Sequence, residues 1–397
     1  MKYAFVIPDG FADYPIASIG GKTPMEVAKT PFMDEIAKAG RQGLCPTTPP
    51  KMAPGSDVCT LSLLGYDSSR FNCGRAPLEA ASLGLSVGQK DLVMRCNLIH
   101  VGEKEEFVDH CAGHITSEES HPLMQAIQEE LGTENIQFYP GVSYRHILIW
   151  KNHETFQCKT TPPHDVPGKL IKNHLPEGVD APVFLKLIEK SRKVLKNHPV
   201  NLARQKAGKL TANCIWLWGG GHKPVLTPFP KKFGVHGGVI SGVDLIRGIA
   251  KFLELDVISV PGITAYFDTD YVAKGAYAIE YLKHHDFILV HVEATDEAGH
   301  VGNLKEKILS LERIDQHIVG PLFHFLKESG EDFRFLIAPD HFTPTEMRIH
   351  VNDPVPFMIA GKGIPAENKP YSEKNAKESG FVFKKGYDLM PYFLSHS

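Results

Sequence analysis

The chain has 397 residues, more than one compact core usually holds, so two domains are expected. Its formal charge is −3 and its basic residues are dispersed, which points away from nucleic acid as the main partner, and its 42% hydrophobic content is ordinary for a soluble globular protein. No stretch approaches the roughly 18 apolar residues of a membrane span, and the short run before Pro8 reads as a first strand rather than a signal-peptide core. The seven cysteines (Cys45, Cys59, Cys73, Cys96, Cys111, Cys158 and Cys214) are odd in number, scattered and without a CxxC pair. They read as reduced thiols in a cytoplasm, not as a disulfide framework or zinc knuckle.

In chain order, residues 3–7 (YAFVI) form a strand ending at Pro8–Asp9, and residues 27–39 show a helical pattern with Pro31 in a first turn and Gly40 as the stop. Ser56 then stands in a Pro-Gly turn that opens a helix. From about residue 71 to 204 the texture changes: short strands at 92–95 and 146–150 alternate with helices at 121–131 and 183–197, and the loop 160–168 is dense in Pro and His. Longer apolar strands and helices then return. Strands are expected at 214–218, 256–260, 287–292 and 333–338, with helices at 238–253, 271–282 and 304–326. The lysine-rich tail 367–385 reads as a solvated surface segment.

Near-continuous apolar strands alternating with helices imply a parallel sheet covered on both faces. The simplest architecture is an α/β core built from residues 1–70 and 205–397, with an α+β domain inserted at 71–204.

Residues of metal-ligating type gather where these strands end. Asp296 and His300 are four apart just past one strand, within one helical turn of each other. Asp340 and His341 follow another, His350 lies nine residues later, and Asp9 ends the first. Ligands bind in the crevice at the carboxyl ends of such strands. Mixed carboxylate and imidazole donors suit Mn²⁺ or Zn²⁺ better than Ca²⁺, and the histidines make Mg²⁺ less favoured. The plain reading of Ser56 is a helix N-cap. A helix start also points backbone N–H groups at an anion, and a metal-bound serine can attack phosphorus. No GxSxG and no P-loop spacing occurs. In the inserted segment Arg75, Arg95, Arg145 and Arg204 are candidate binders of phosphate and carboxylate, joined by His114 and His164 beside Gly or Pro loop residues.

Several ordered motifs carry a resemblance: IPDGFADYPI at 7–16, GGKTPMEVAKTPFMD at 20–34, APGSDVCTLSLLGYD at 53–67, GRAPLEAASLG at 74–84, HVEATDEAGH at 291–300 and DHFTPTEMRIHVNDPVPF at 340–357. Over essentially its whole length the chain resembles the archaeal-type cofactor-independent phosphoglycerate mutases of the alkaline phosphatase superfamily. The resemblance implies an alkaline-phosphatase-like α/β core with an inserted cap, two divalent ions and no 2,3-bisphosphoglycerate. It implies Asp9, Ser56, Asp340 and His341 on one ion and Asp296, His300 and His350 on the other. Ser56 would be the nucleophile that becomes phosphorylated, the substrate a small phosphorylated hydroxy acid, and the cap a shield against water. Monomer and homo-oligomer both stay open.

Departures from the family pattern fall at His114 (where Arg is usual), Thr295 (Pro), Cys59–Thr60 (Ala-Asn) and Phe342 (Ser). They leave open a phosphotransferase for another hydroxy compound, as in a bacterial branch proposed to phosphorylate homoserine, or a metal-dependent phosphomonoesterase.

Overall fold

The computed structural model describes residues 1–71 and 73–395. Its strands, in chain order, are β1 Lys2–Pro8, β2 Gly40–Cys45, β3 Leu92–Val101, β4 Phe107–Asp109, β5 Ile136–Val142, β6 Arg145–Trp150, β7 Cys158–Lys159, β8 Glu177–Gly178, β9 Cys214–His222, β10 Gly237–Ile240, β11 Asp256–Val257, β12 Phe287–Val292, β13 Phe333–Ile337 and β14 Val355–Gly361. The chain divides into two compact units, Met1–Asn72 with Leu226–Ser397, and Cys73–Val225.

In the first unit seven strands form one sheet in the order β11-β10-β12-β1-β13-β14-β2. β1 is central, buried along its whole length, and runs parallel to β12 and β13. The expectation of a parallel sheet holds except at β14, which is antiparallel to both β13 and β2. Every residue of β12 is buried, and all but His291 are apolar, which fits a strand covered on both faces. The helix expected at 27–39 is two, Pro24–Val27 and Pro31–Lys38, because the residue before a proline avoids helical backbone. The pattern at 238–253 is strand β10 followed by the helix Asp244–Phe252.

The stretch 304–326 is helical, but a π turn at Asp315–Val319 separates Leu304–Ile314 from Gly320–Glu328. That turn aims Asp315 at the open N-terminus of Pro31–Lys38, where its carboxylate accepts from Met33 N at 2.7 Å and Phe32 N at 3.2 Å. The tail is not merely solvated. Leu44 of the edge strand β2 donates to Phe381 O and accepts from Phe383 N, while Tyr371 is buried with its hydroxyl on Pro356 O. Its lysines face water while its aromatic residues cover an edge that would otherwise leave backbone groups unpaired.

The second unit is built on β3, which pairs antiparallel with both β6 and β9. The boundary expected after Arg204 therefore falls after Val225, and residues 214–218 belong to this unit rather than to the core. A short apolar run reads the same in a parallel core and at the centre of an antiparallel sheet. Trp216 and Trp218 anchor β9, donating to Thr161 O (2.8 Å) and to Asn97 Oδ1 (3.1 Å). The helices Ser117–Leu131 and Ala181–Lys196 contribute to the main apolar cluster, and Arg75–Ser82 to a smaller one with Val93, Ile147 and Ile149. Among the described residues no helix is long and apolar enough to cross a membrane.

Candidate active site

All seven expected ligands lie in the first unit, at the carboxyl end of its sheet. Asp9 leaves β1, Asp296 and His300 sit on the helix Ala294–His300 just past β12, and Asp340 and His341 follow β13. Gly55 occupies the N-cap of the helix Ser56–Leu63, with no side-chain capping bond, so Ser56 is the first helical residue and is not a cap. Its Oγ lies 3.4 Å from Asp9 Oδ2 and 3.4 Å from His341 Nε2. The chain can turn sharply after Asp9 only because residue 10 is glycine. Its φ is +58°, and a Cβ there would stand 2.4 Å from Thr343 Oγ1 and 2.5 Å from Asp296 Oδ1.

Two groups of donors result. In one, His341 Nε2 is 3.4 Å from Asp340 Oδ2 and 3.6 Å from Asp9 Oδ1. In the other, Asp296 meets His300 Nε2 at 3.2 Å and His350 Nε2 at 3.4 Å, and the two imidazole nitrogens are 2.9 Å apart. Asp9, Asp340 and His341 are fully or almost fully buried, whereas Ser56, His300 and His350 are partly open.

Burial, then the neighbouring Asp340 and Glu293, hold the Asp9 carboxyl well above its ordinary range. Burial likewise pushes Glu293 up to about 8. For Asp296 burial acts in the same direction, but bonds from His300 and His350 outweigh it and keep the group ionised. The Asp296 bond in turn lifts His300 to about 9.

Four carboxylates (Asp9, Glu293, Asp296, Asp340) gathered with four imidazoles (His291, His300, His341, His350), most of them buried, form a costly arrangement without added positive charge. Asp9 Oδ1, Asp340 Oδ2, Glu293 Oε2 and His291 Nε2 are buried with no hydrogen-bond partner. Donor atoms about 2.1 Å from one cation lie roughly 3 to 3.5 Å from each other, close to the spacings seen here. The residues present therefore fit divalent cations, and the orphaned atoms are where such ions would bind.

Four further residues support the ligands, and of these the sequence had marked Thr295 alone, as a departure from the family pattern. Thr343 Oγ1 donates to Asp296 Oδ1, and Thr295 Oγ1 donates to Asp9 O. His291 Nε2 lies 3.2 Å from Asp9 Oδ2, and the buried Lys274 donates to His291 O at 3.1 Å. Thr343 and Thr295 sit inside the recognised motifs, but no spacing rule separates a threonine that orients a ligand from one that only fills space.

The six candidate substrate residues all lie in the second unit. Arg204 is buried, paired with Glu119 and bonded to Ala112 O, Gly113 O and Leu210 O, so it fixes the 112–113 turn. Arg95 forms a two-point pair with Glu79 and lies 4.4 Å from the Trp218 ring. His164 packs edge-on to the same ring at 5.5 Å. Burial pushes His164 down, and the nearby charges of Arg75, His110 and Arg95 add to this against the opposing pull of Asp165. Arg75, His114 and His164 are exposed, and Arg145 is half-buried on β6.

A protein from Methanosarcina mazei named 2,3-bisphosphoglycerate-independent phosphoglycerate mutase is 46% identical over 392 residues, 98% of each chain. The chain belongs to this mutase family. The family model so described matches residues 37–201. A phosphoglycerate mutase of the same name from Methanothrix thermoacetophila is 44% identical over 396 residues, 100% of both chains. Among solved structures, a protein from Pyrococcus horikoshii matches with TM-score 0.83 and 29% identity, covering 100% of this chain and 98% of its own. The cofactor-independent phosphoglycerate mutase of Thermoplasma acidophilum shares the fold, with TM-score 0.70 and 24% identity over 99% of each chain.

Proposed function

We propose that this protein interconverts 3-phosphoglycerate and 2-phosphoglycerate without 2,3-bisphosphoglycerate, through a phosphoserine on Ser56. The observation that carries the mechanism is Ser56 itself. Its hydroxyl is released from capping, is partly open, and lies equally close to a carboxylate and an imidazole of the ligand cluster.

Asp9, Ser56, Asp340 and His341 would hold one divalent ion and Asp296, His300 and His350 the other, with Mn²⁺ or Zn²⁺ favoured by the mixed oxygen and nitrogen donors. Such ions lower the cost of ionising a serine and neutralise phosphoryl oxygens.

Ser56 gives up its proton, its Oγ forms a bond to phosphorus as the bond from phosphorus to the 3-oxygen breaks, and the released 3-oxygen takes up a proton to give glycerate. The glycerate is retained and turns. Its 2-hydroxyl then loses its proton and bonds to phosphorus as the bond from phosphorus to Ser56 Oγ breaks, and Oγ regains a proton, which restores the free serine and leaves 2-phosphoglycerate. Water must be kept from the phosphoserine, since its attack would yield inorganic phosphate. In the second unit the exposed Arg75, His114 and His164, with Arg145, are the proposed contacts for the substrate's anionic groups. Arg95 and Arg204 shape the surfaces that present them.

A coupled assay with 3-phosphoglycerate and Mn²⁺, lacking 2,3-bisphosphoglycerate, should yield 2-phosphoglycerate. Ser56→Ala should lower the rate by on the order of 10³-fold or more. Mass spectrometry of the quenched wild-type protein should find phosphate on Ser56. Turnover unaffected by the substitution would refute this reading.

A further inference from the structure

His291 is buried in the ligand cluster without a role in the mechanism above. It is the penultimate residue of β12, paired in register with Ile7, so its ring reaches the same carboxyl end of the sheet as Asp9. The ring is completely buried. His291, Asp9 and Asp340 present donor atoms that all lie within 4.8 Å of one another.

The two ring nitrogens have different surroundings. Nδ1 lies 3.4 Å from Ser241 Oγ, which can take its proton in a hydrogen bond, with Glu293 Oε2 farther off at 3.7 Å. With the proton there, the neutral ring turns the lone pair of Nε2 toward Asp9 Oδ2, 3.2 Å away. Nε2 makes no hydrogen bond, and neither do Asp9 Oδ1 and Asp340 Oδ2. A lone pair aimed at a carboxylate oxygen in a dry interior is repulsive unless a proton or a metal cation lies between them. The 3.2 Å spacing equals that between Asp296 and His300 in the other group.

We propose that His291 Nε2 is a direct ligand of the ion held by Asp9, Ser56, Asp340 and His341. The ion is a divalent transition metal of the kind that accepts imidazole, Mn²⁺, Zn²⁺ or Co²⁺, in preference to Mg²⁺. Ser241 selects the tautomer by occupying Nδ1, and Lys274 fixes the strand end through the carbonyl of residue 291, in the way outer partners orient metal-bound histidines. Each ion then has two imidazoles, His291 and His341 on one, His300 and His350 on the other.

This inference rests on the two-ion reading, and the test separates them. Zn²⁺ is titrated into metal-stripped wild-type protein, His291→Ala and His291→Gln against a chromophoric chelator, with circular dichroism confirming the fold of each. Wild-type protein should take up two ions. Both variants should retain one ion at wild-type affinity and bind the other at least about ten-fold more weakly. A crystal of the Zn²⁺-loaded wild-type protein should place Nε2 about 2.1 Å from the ion. Two ions in wild-type protein with unchanged affinity in both variants, or an Nε2 more than about 3 Å from the ion, would overturn the inference and leave the two-ion reading standing. Uptake of no ions by wild-type protein would overturn both.

Discussion

Thr343 shows how closely single residues control this site. Its hydroxyl donates to Asp296 Oδ1, lies 3.2 Å from His341 Nδ1, and would collide with any Cβ at residue 10. One side chain thus orients a carboxylate of one donor group while touching an imidazole of the other. Thr343→Val keeps the shape and removes the hydroxyl. We expect the variant to fold normally and to bind the ion of the Asp296–His300–His350 group about 10- to 100-fold more weakly, read by chelator competition. Unchanged affinity would show that packing alone holds Asp296. Five of the seven expected ligands, Asp9, Asp296, His300, Asp340 and His341, were legible because each follows an apolar strand or stands at helical spacing from another, whereas Ser56 and His350 joined the set through the family resemblance. His291 was not legible, because a histidine inside an apolar strand reads as a packing residue, and only the three-dimensional approach of β1 and β12 brings it to Asp9.

At the scale of elements, the sheet's central strands matched their sequence patterns, whereas helix breaks and strand ends did not. The 3.6-residue period ran unbroken through 304–326, since a π turn adds one residue without removing the apolar stripe. Its reason lies in another element: it carries Asp315 to the first turn of Pro31–Lys38. Burial raises the Asp315 carboxyl from 3.8 to about 6 despite the two backbone donors. An acid whose pKa is higher folded than unfolded stabilises fully below its unfolded value, and that contribution is lost as pH rises through the folded value. Stability should therefore fall between about pH 4 and pH 6 by up to about 3 kcal/mol from this group. Urea midpoints measured over that range should show the slope in wild-type protein and a flatter line in Asp315→Asn. Parallel lines would mean that Asp315 is not the titrating group.

At the scale of the whole molecule, the position of β9 decides where one unit ends. Asp9, Asp296, Asp340 and His341 were readable as candidate ligands because each repeats a strand-then-ligand pattern. The partner of an apolar strand is not written in the strand itself. β9 adds Cys214, Ile215, Trp216, Leu217 and Trp218 to the second unit's apolar cluster and closes one side of β3. Burying each large side chain is worth about 1.5–3 kcal/mol, so losing this strand would remove a sum comparable to the 5–15 kcal/mol stability of a typical domain. It would also bare the backbone of β3, an open edge prone to aggregation. A fragment spanning 73–225 should accordingly unfold cooperatively on heating and give a dispersed amide spectrum. A fragment ending at 204, the boundary that texture alone suggests, should be unfolded or aggregated under the same conditions. Cooperative folding of the shorter fragment would mean that β9 only decorates this unit, and would return residues 205–225 to the unit that holds the metal ligands.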